Sequence, residues 1–439
     1  MADESLLPYL SQFDPAERAE GSIDPLGLYS IADAMGVMLA PGVRERQSRP
    51  RYLTVALAGM AALSEDTLAL AEERGIPAWL VYEWTVVEAF VRQWKGQPEL
   101  QRIPGRDKVQ TAIDKGDVVC ERTYLKTPTV FGFHGIYRVL GLKLGLFNVE
   151  ARPLERGYRL LATWQDEQKL PGFLGGDGVG ADFRRNMDWA VRKGIEVGYA
   201  RDPGTSARQM IAQHLNPRSP GRAESTALWE AIMGKEALRA EYGQKLVTES
   251  GANAWKNAEG EADYQAWLFT SASPAMQQLL KAIRAYERLS RLLTDAFEES
   301  LWILTEARAP IERKQLANGA AARRAAKELR AAFDEATTEL GIVEPSLRIR
   351  TERSLSWVGE ISTAEDLTSQ LIEHHCRVQK AKPPNGKRAW LDVFNDGRVA
   401  VRPAYTRAEF LLSDKYVHAY RTVPLWSFAA DLGRVHLDD

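Results

Sequence analysis

Glu373, His374, His375 and Cys376 stand in a row in the stretch EHHCRVQK, the densest set of metal-ligating and nucleophilic side chains in the sequence. Chelation from a helix favours ligands four residues apart, which share a face. Adjacent histidines diverge by about 100° on a helix, so these two do not converge on one ion. His375 falls four residues after Leu371 and eight after Leu367, inside an apolar stripe, which predicts a partly buried structural histidine. A metal-dependent nuclease would instead recruit Glu373, Lys387 and Asp392. Restriction-type sites carry an acid on one strand and Glu-x-Lys on the next, whereas the second strand here reads RVAVRP. Gly135-Ile136-Tyr137 is similar to half of another nuclease signature whose Tyr-Ile-Gly partner is absent. No catalytic residue, metal site or cofactor is assigned, and a nuclease centred on the C-terminal region stands as the alternative to a binding role.

Cations are clustered on a chain whose net charge is only −2 over 439 residues. Residues 122–159 hold seven Lys or Arg against Glu150 and Glu155, and residues 377–407 hold eight against Asp392 and Asp396. Arg44, Arg46, Arg49 and Arg51 crowd the stretch VRERQSRPR, with Glu45 the one opposing charge. Lys380, Lys382, Lys387, Arg388, Arg398, Arg402 and Arg407 interleave with Trp390, Phe394 and Tyr405. Aromatics beside cations can stack nucleobases or form the core of a hairpin. Local basic surfaces suit nucleic-acid contact and ordinary solvated faces alike.

Two cysteines, Cys120 and Cys376, make no disulfide framework and fit a reducing compartment. The acidic start MADESLLPYL has no basic region leading into an apolar core, as a secretory signal would. No apolar run approaches the roughly 18 residues of a membrane span. A cytoplasmic protein without membrane partners is expected.

The length predicts two to four domains, and the pattern is mainly α with a small α/β C-terminal domain. Residues 1–104 read as a helical domain with a polar arm over 1–22. Its first helix carries Leu28, Ile31, Ala32, Met35 and Leu39, and further helices fall near 52–62, 65–74 and 77–95. Ala71, Gly75 and Val81 suit a helix-turn-helix, but the following helix, AWLVYEWTVVEAFV, is apolar all round and predicts core. Residues 172–181 are glycine-rich and read as a linker; no Gly-Lys-Ser/Thr follows to make a phosphate loop. Residues 182–354 are helical. Within them, two long helices over 274–341 flank Pro310, predicting an antiparallel hairpin suited to docking protein subunits. Its stripe runs Met276, Leu279, Leu280, Ile283, Tyr286, Leu289, Leu292, Leu293, Phe297. Residues 355–439 combine a helix near 363–381, a hairpin turning at Asn395-Asp396-Gly397, and a short helix after Pro424.

Residues 105–171 set a helix at 106–115 before a helix from about Val130 to Leu146, capped by Thr129. There follows GLFNVEARPLERGYRLLATW, in which Val149 and Ala151 suit a strand. Pro153 to Gly157 would then be the turn and Tyr158, Leu160 and Leu161 the returning strand. This order resembles the winged helix-turn-helix family, in particular the wing of MarR-type regulators. The resemblance implies Arg152, Arg156 and Arg159 on or beside the wing. It also implies His134, Arg138 and Lys143 projecting from the second helix toward a major groove. That helix holds Gly132, Gly135, Gly141 and Gly145, leaving few side chains to read bases, so phosphate contacts are expected more than sequence readout.

DPLGLYSIAD (24–33) and YVHAYR (416–421) are similar to stretches of uncharacterised bacterial proteins of anti-phage defence clusters, which implies a multi-protein context. The expected function is a non-enzymatic DNA-binding or adaptor subunit. A winged-helix transcription regulator is a further alternative.

Overall fold

Helices dominate, as the periodicity predicts, and the described residues hold one small sheet. The computed structural model describes residues 24–234, 236–383 and 385–435; the arm expected over 1–22 lies outside them. In chain order the helices begin α1 (Tyr29–Leu39), α2 (Tyr52–Ala62), α3 (Glu65–Arg74), α4 (Ala78–Gln93), α5 (Arg106–Asp114), α6 (Pro128–Phe131), α7 (Phe133–Leu144), α8 (Glu155–Glu167), α9 (Val179–Val197) and α10 (Thr205–His214). They continue α11 (Arg222–Met233), α12 (Ala237–Leu246), α13 (Glu249–Asn257), α14 (Glu261–Phe269), α15 (Pro274–Ala307), α16 (Ala320–Val343), α17 (Pro345–Ser354), α18 (Ala364–Lys380) and α19 (Thr422–Asp431). The strands are β1 (Ile311–Glu312), β2 (Leu391–Val393) and β3 (Arg398–Val401). Among the described residues no single helix is long and apolar enough to cross a membrane.

The described residues pack as two units: 24–35 with 258–420, and 36–257 with 421–435. This differs from the five segments expected at 104, 171, 181 and 354. Composition marks changes of character along the chain, whereas units are set by which apolar faces meet. The stretch expected as a linker, 172–181, is built into the second unit. Phe173 is fully buried, and a Cβ on Gly180 would lie 2.1 Å from the Leu170 carbonyl oxygen.

In the first unit, α15 and α16 form the expected antiparallel pair. Ser273 caps α15 by accepting the Met276 N–H, with Pro274 at the first helical position. All nine residues of the expected stripe are buried at 3 % exposure or less. The second helix begins at Ala320 rather than 311, because 311–312 pair as β1 with β3. It presents Ala321, Ala322, Ala325, Ala332 and Ala336 to the core. β2 and β3 make the expected hairpin, and β1 completes an antiparallel sheet in the order β1-β3-β2, with Ile311 opposite Val399 and Val399 opposite Val393. Thr363 and Asp366 form a capping box at α18.

In the second unit α4 is the central rod, buried from Leu80 to Val91 on every face, and it packs on α5, α9 and α10. The helix-turn-helix spacing at Ala71, Gly75 and Val81 is therefore helical core packing. α2 approaches α4 so closely that a Cβ on Gly59 would meet the Tyr82 ring at 2.4 Å.

Two buried carboxylates, Glu83 and Glu299, and the half-buried Glu167 cap helices to which they do not belong. Glu83 accepts the N–H of His134 at the start of α7. Glu167 accepts those of Ala223 and Glu224 in α11, and Glu299 accepts those of Ala320, Ala321 and Ala322 in α16. At each helix start the N-cap is a glycine, Gly132, Gly221 or Gly319, whose Cβ would sit 2.0–2.1 Å from the carboxylate. Carboxyl oxygens there satisfy donors the helix leaves open.

Candidate functional site

The stretch expected as a wing makes a tight turn followed by a helix. Asn148 N–H donates to the Arg152 carbonyl, Leu154 N–H to that of Leu146, and Phe147 bridges to Pro153, while Ala151 takes a left-handed conformation at φ 59°. Of the expected turn at 153–157, Pro153 and Leu154 lead into α8, and residues 155–157 with the expected returning strand at 158–161 are instead its first turns. Gly157, Leu160, Leu161 and Trp164 are buried at i, i+3, i+4 and i+7, and this helical stripe outweighs the short apolar run that resembled a strand. Gly157 serves close packing: its Cβ would fall 2.1 Å from the Leu146 carbonyl oxygen. The preceding helix is also broken. Gly132 is extended, separating α6 from α7, so that Thr129 lies within α6 and caps nothing.

This turn walls one side of a cleft of about 650 Å³ in the second unit. Met60, Leu63 and Leu68, from α2, its C-cap and α3, supply its aliphatic side. Trp79, Tyr82, Phe133 and His134 supply its aromatic side. The Trp79 and His134 rings stack with centroids 4.5 Å apart and planes within 15°. Tyr82 meets Phe133 edge-on, and its hydroxyl donates to the Val55 carbonyl at 2.8 Å. Glu72 and Glu150 are exposed on the rim. Arg152, also lining the cleft, reaches Glu65 on α3 with two hydrogen bonds of 2.5 and 2.7 Å. That bond holds the Glu65 carboxyl below its usual range.

Behind the aromatic wall, one turn beyond Trp79, lies Glu83, fully buried. Its two oxygens accept the Tyr124 hydroxyl at 2.7 Å and the His134 N–H at 2.9 Å. Burial raises it to about 7 against the pull of those hydrogen bonds, and burial with Arg138 nearby lowers His134 to about 4. Near neutrality His134 is an uncharged aromatic surface. Glu83 fixes its backbone, and so the ring's place against Trp79.

Several residues expected to touch DNA are engaged inside the protein. His134 is 6 % exposed and belongs to the cleft wall. Arg51 is 1 % exposed; its Nε binds both oxygens of Glu224 at 3.1 Å and its Nη2 donates to the His214 carbonyl. Arg49 pairs with Asp431 at 3.2 Å, both largely buried. These two serve packing because α11 and α19 cover them, which nothing in VRERQSRPR announces. Arg44 is half-buried, and Arg46 lies 4.3 Å over the Phe131 ring. Arg138, Lys143, Arg156 and Arg159 remain exposed. Of these, Arg138 and Arg156 donate to the Val149 and Leu144 carbonyls and Arg159 pairs with Glu155.

In the first unit Arg388 pairs with Asp392 and Arg398 with Asp396. Trp390 stacks on Tyr405 at 4.7 Å and 4°, and Arg407, held by Glu298, lies over Trp390, so these aromatics form the hairpin's own packing. His375 is structural. Its Nδ1 donates to the Pro25 carbonyl at 2.9 Å and its Nε2 accepts the Trp390 N–H at 2.9 Å. His374 Nε2 donates to the Leu26 carbonyl. Glu373 pairs with Arg313, away from Asp392 with its own Arg388. Among the described residues no group of three His, Cys, Asp or Glu is placed to hold a metal ion.

The chain matches no family model, no curated protein and no solved structure.

Proposed function

We propose that this chain is a non-enzymatic binding protein of the adaptor type, whose ligand is a small, flat, amphipathic organic molecule held in the cleft beneath the Asn148–Arg152 turn. The carrying observation is the cleft's composition: about 650 Å³, with an aromatic side of four rings and an aliphatic side. That volume and lining are those of small-molecule sites. Arg152 is neutralised by Glu65, so Glu72 and Glu150 make the rim acidic and favour a ligand with a cationic group. The Arg152–Glu65 bridge ties the turn to α3 at the mouth.

9-Aminoacridine, planar and cationic, is a direct probe by fluorescence titration, with the anionic anilinonaphthalene sulfonate as its contrast. Leu68→Trp fills the cleft from a half-exposed position and should abolish acridine binding. Trp79→Leu should weaken binding roughly fivefold, the worth of one aromatic stack of about 1 kcal/mol. Equal binding by wild type and Leu68→Trp, or preference for the anionic dye, overturns the reading.

A second reading, binding of DNA phosphates, is favoured by the exposure of Arg138, Lys143, Arg156 and Arg159 around one turn. Anisotropy across a salt series tests it. Arg156→Ala and Arg159→Ala should each flatten the log–log slope by about 0.9, the share of one phosphate-neutralising cation, and unchanged slopes refute it.

A further inference from the structure

Arg350 and Arg353 on α17 and Arg377 on α18 line one cavity of about 530 Å³ in the first unit, and no Asp or Glu is among its lining residues. Among the described residues none of the three has a carboxylate partner. The contrast on the same helix is Arg348, paired with Glu352 at 2.8 Å. Two of the three are held in place by neutral acceptors. Arg350 Nη2 donates to the Ser30 carbonyl at 3.3 Å. Arg377 Nη2 lies 3.4 Å from His374 Nδ1, which is free to accept because Nε2 carries the proton given to Leu26. Asp24, an acid close enough to act on His374 and Tyr286, places its two oxygens on the Leu28 and Tyr29 N–H groups.

Three guanidinium groups round one space repel one another unless an anion sits between them, and their forked donors match the oxygens of phosphate. Leu28, Ile31 and Leu355 make the rest of the wall apolar, and the hydroxyl-bearing Ser30 and Ser354 stand beside the arginines. The space exceeds what a bare phosphate fills and lies in the range of organic ligands. We infer that this cavity binds a small organic phosphate of nucleoside diphosphate size, its phosphates on Arg350, Arg353 and Arg377 and its apolar body against Leu28, Ile31 and Leu355. The site lies in the first unit and is independent of the aromatic cleft.

Calorimetric titration of the full chain with ADP and with inorganic pyrophosphate tests this. Arg353→Ala and Arg377→Ala should each weaken both ligands about tenfold or more, the usual effect of removing one side of a charge-assisted pair. Arg348→Ala should stay within about twofold. All these side chains are exposed, so the variants are expected to fold, which circular dichroism confirms. Ala381→Trp, from an exposed lining position, should fill the apolar side, abolish ADP binding and leave pyrophosphate within a few-fold. Absence of ADP binding at millimolar concentration overturns the proposal. So do equal losses in Arg348→Ala and Arg353→Ala, the mark of a diffuse basic surface, and ADP binding that survives Ala381→Trp.

Discussion

Replacing Gly319 with alanine should be costly for a reason the backbone does not reveal. Gly319 has φ −60° and ψ 146°, a conformation alanine adopts freely. In an unobstructed site the change would be neutral or stabilise by a few tenths of a kcal/mol through the unfolded chain. Here the added Cβ would lie 2.1 Å from Glu299 Oε2, and the carboxylate must leave the N–H groups of Ala320, Ala321 and Ala322, which it holds at 2.8, 2.9 and 3.1 Å. Hydrogen bonds to a charged group contribute about 1.5–3 kcal/mol each. With partial reseating of the carboxylate, a net loss of about 2–4 kcal/mol follows. A unit of this size loses roughly 2–4 °C of melting temperature per kcal/mol, so a fall of about 5–15 °C in one transition should appear by calorimetry. The decisive control is a double-mutant cycle. In a Glu299→Ala background the obstruction is gone, and Gly319→Ala should then cost less than about 0.5 kcal/mol. A Gly319→Ala protein within 0.5 kcal/mol of wild type, or losses that simply add in the double variant, would refute the capping argument.

Two further predictions concern pH, with opposite signs. Glu83 is held at about 7 against an ordinary 4.5, so the folded state keeps a proton the unfolded state has released. Its contribution is fully present below 4.5 and is lost as pH rises toward 7. Glu83→Gln can still accept from His134 and donate to Tyr124, and should gain on wild type by roughly 2–4 kcal/mol between pH 4.5 and 8 in urea unfolding; a constant difference would sink the assignment. His375 is lowered by burial to about 4 from 6.5, so its stabilisation is complete above 6.5 and fades as pH falls toward 4. His375→Asn should be less stable at pH 7 and should lose part of the wild-type slope between pH 6.5 and 4, whereas an unchanged slope would place that titration elsewhere.

The helices were legible wherever one face repeats at the helical period without competition: the stripe from Met276 to Phe297 is buried residue for residue. The hairpin at Asn395-Asp396-Gly397 was equally plain, because such a turn dictates its own register. α8 is ambiguous in the sequence because YRLL offers a short apolar run as well as the helical set Gly157, Leu160, Leu161 and Trp164, and a four-residue window does not separate the two. The functional residues were harder. His134 carries the signature of a groove-facing side chain by type and helical position, but its burial depends on Trp79, more than fifty residues earlier. Arg51 carries the signature of a surface cation, and its partner Glu224 lies 173 residues away. Arg350, Arg353 and Arg377 do not read as a group, because their shared cavity joins two helices to the segment around Ser30, 320 residues before Arg350. Arg350 and Arg353 have no acid at helical spacing, but Arg377 has Glu373 four residues before it, and only the fold shows that carboxylate taken by Arg313.

That segment has a consequence for biosynthesis. Pro25 and Leu26 receive the His375 and His374 rings across 350 and 348 residues of chain, and the whole of Gly36–Asn257 is translated in between. At roughly 5–20 residues per second, these two carbonyls leave the ribosome on the order of 20–70 s before the histidines that will hold them. The unit that begins first therefore finishes late, and a truncated product ending anywhere before α18 would carry its N-terminal segment with those anchors missing.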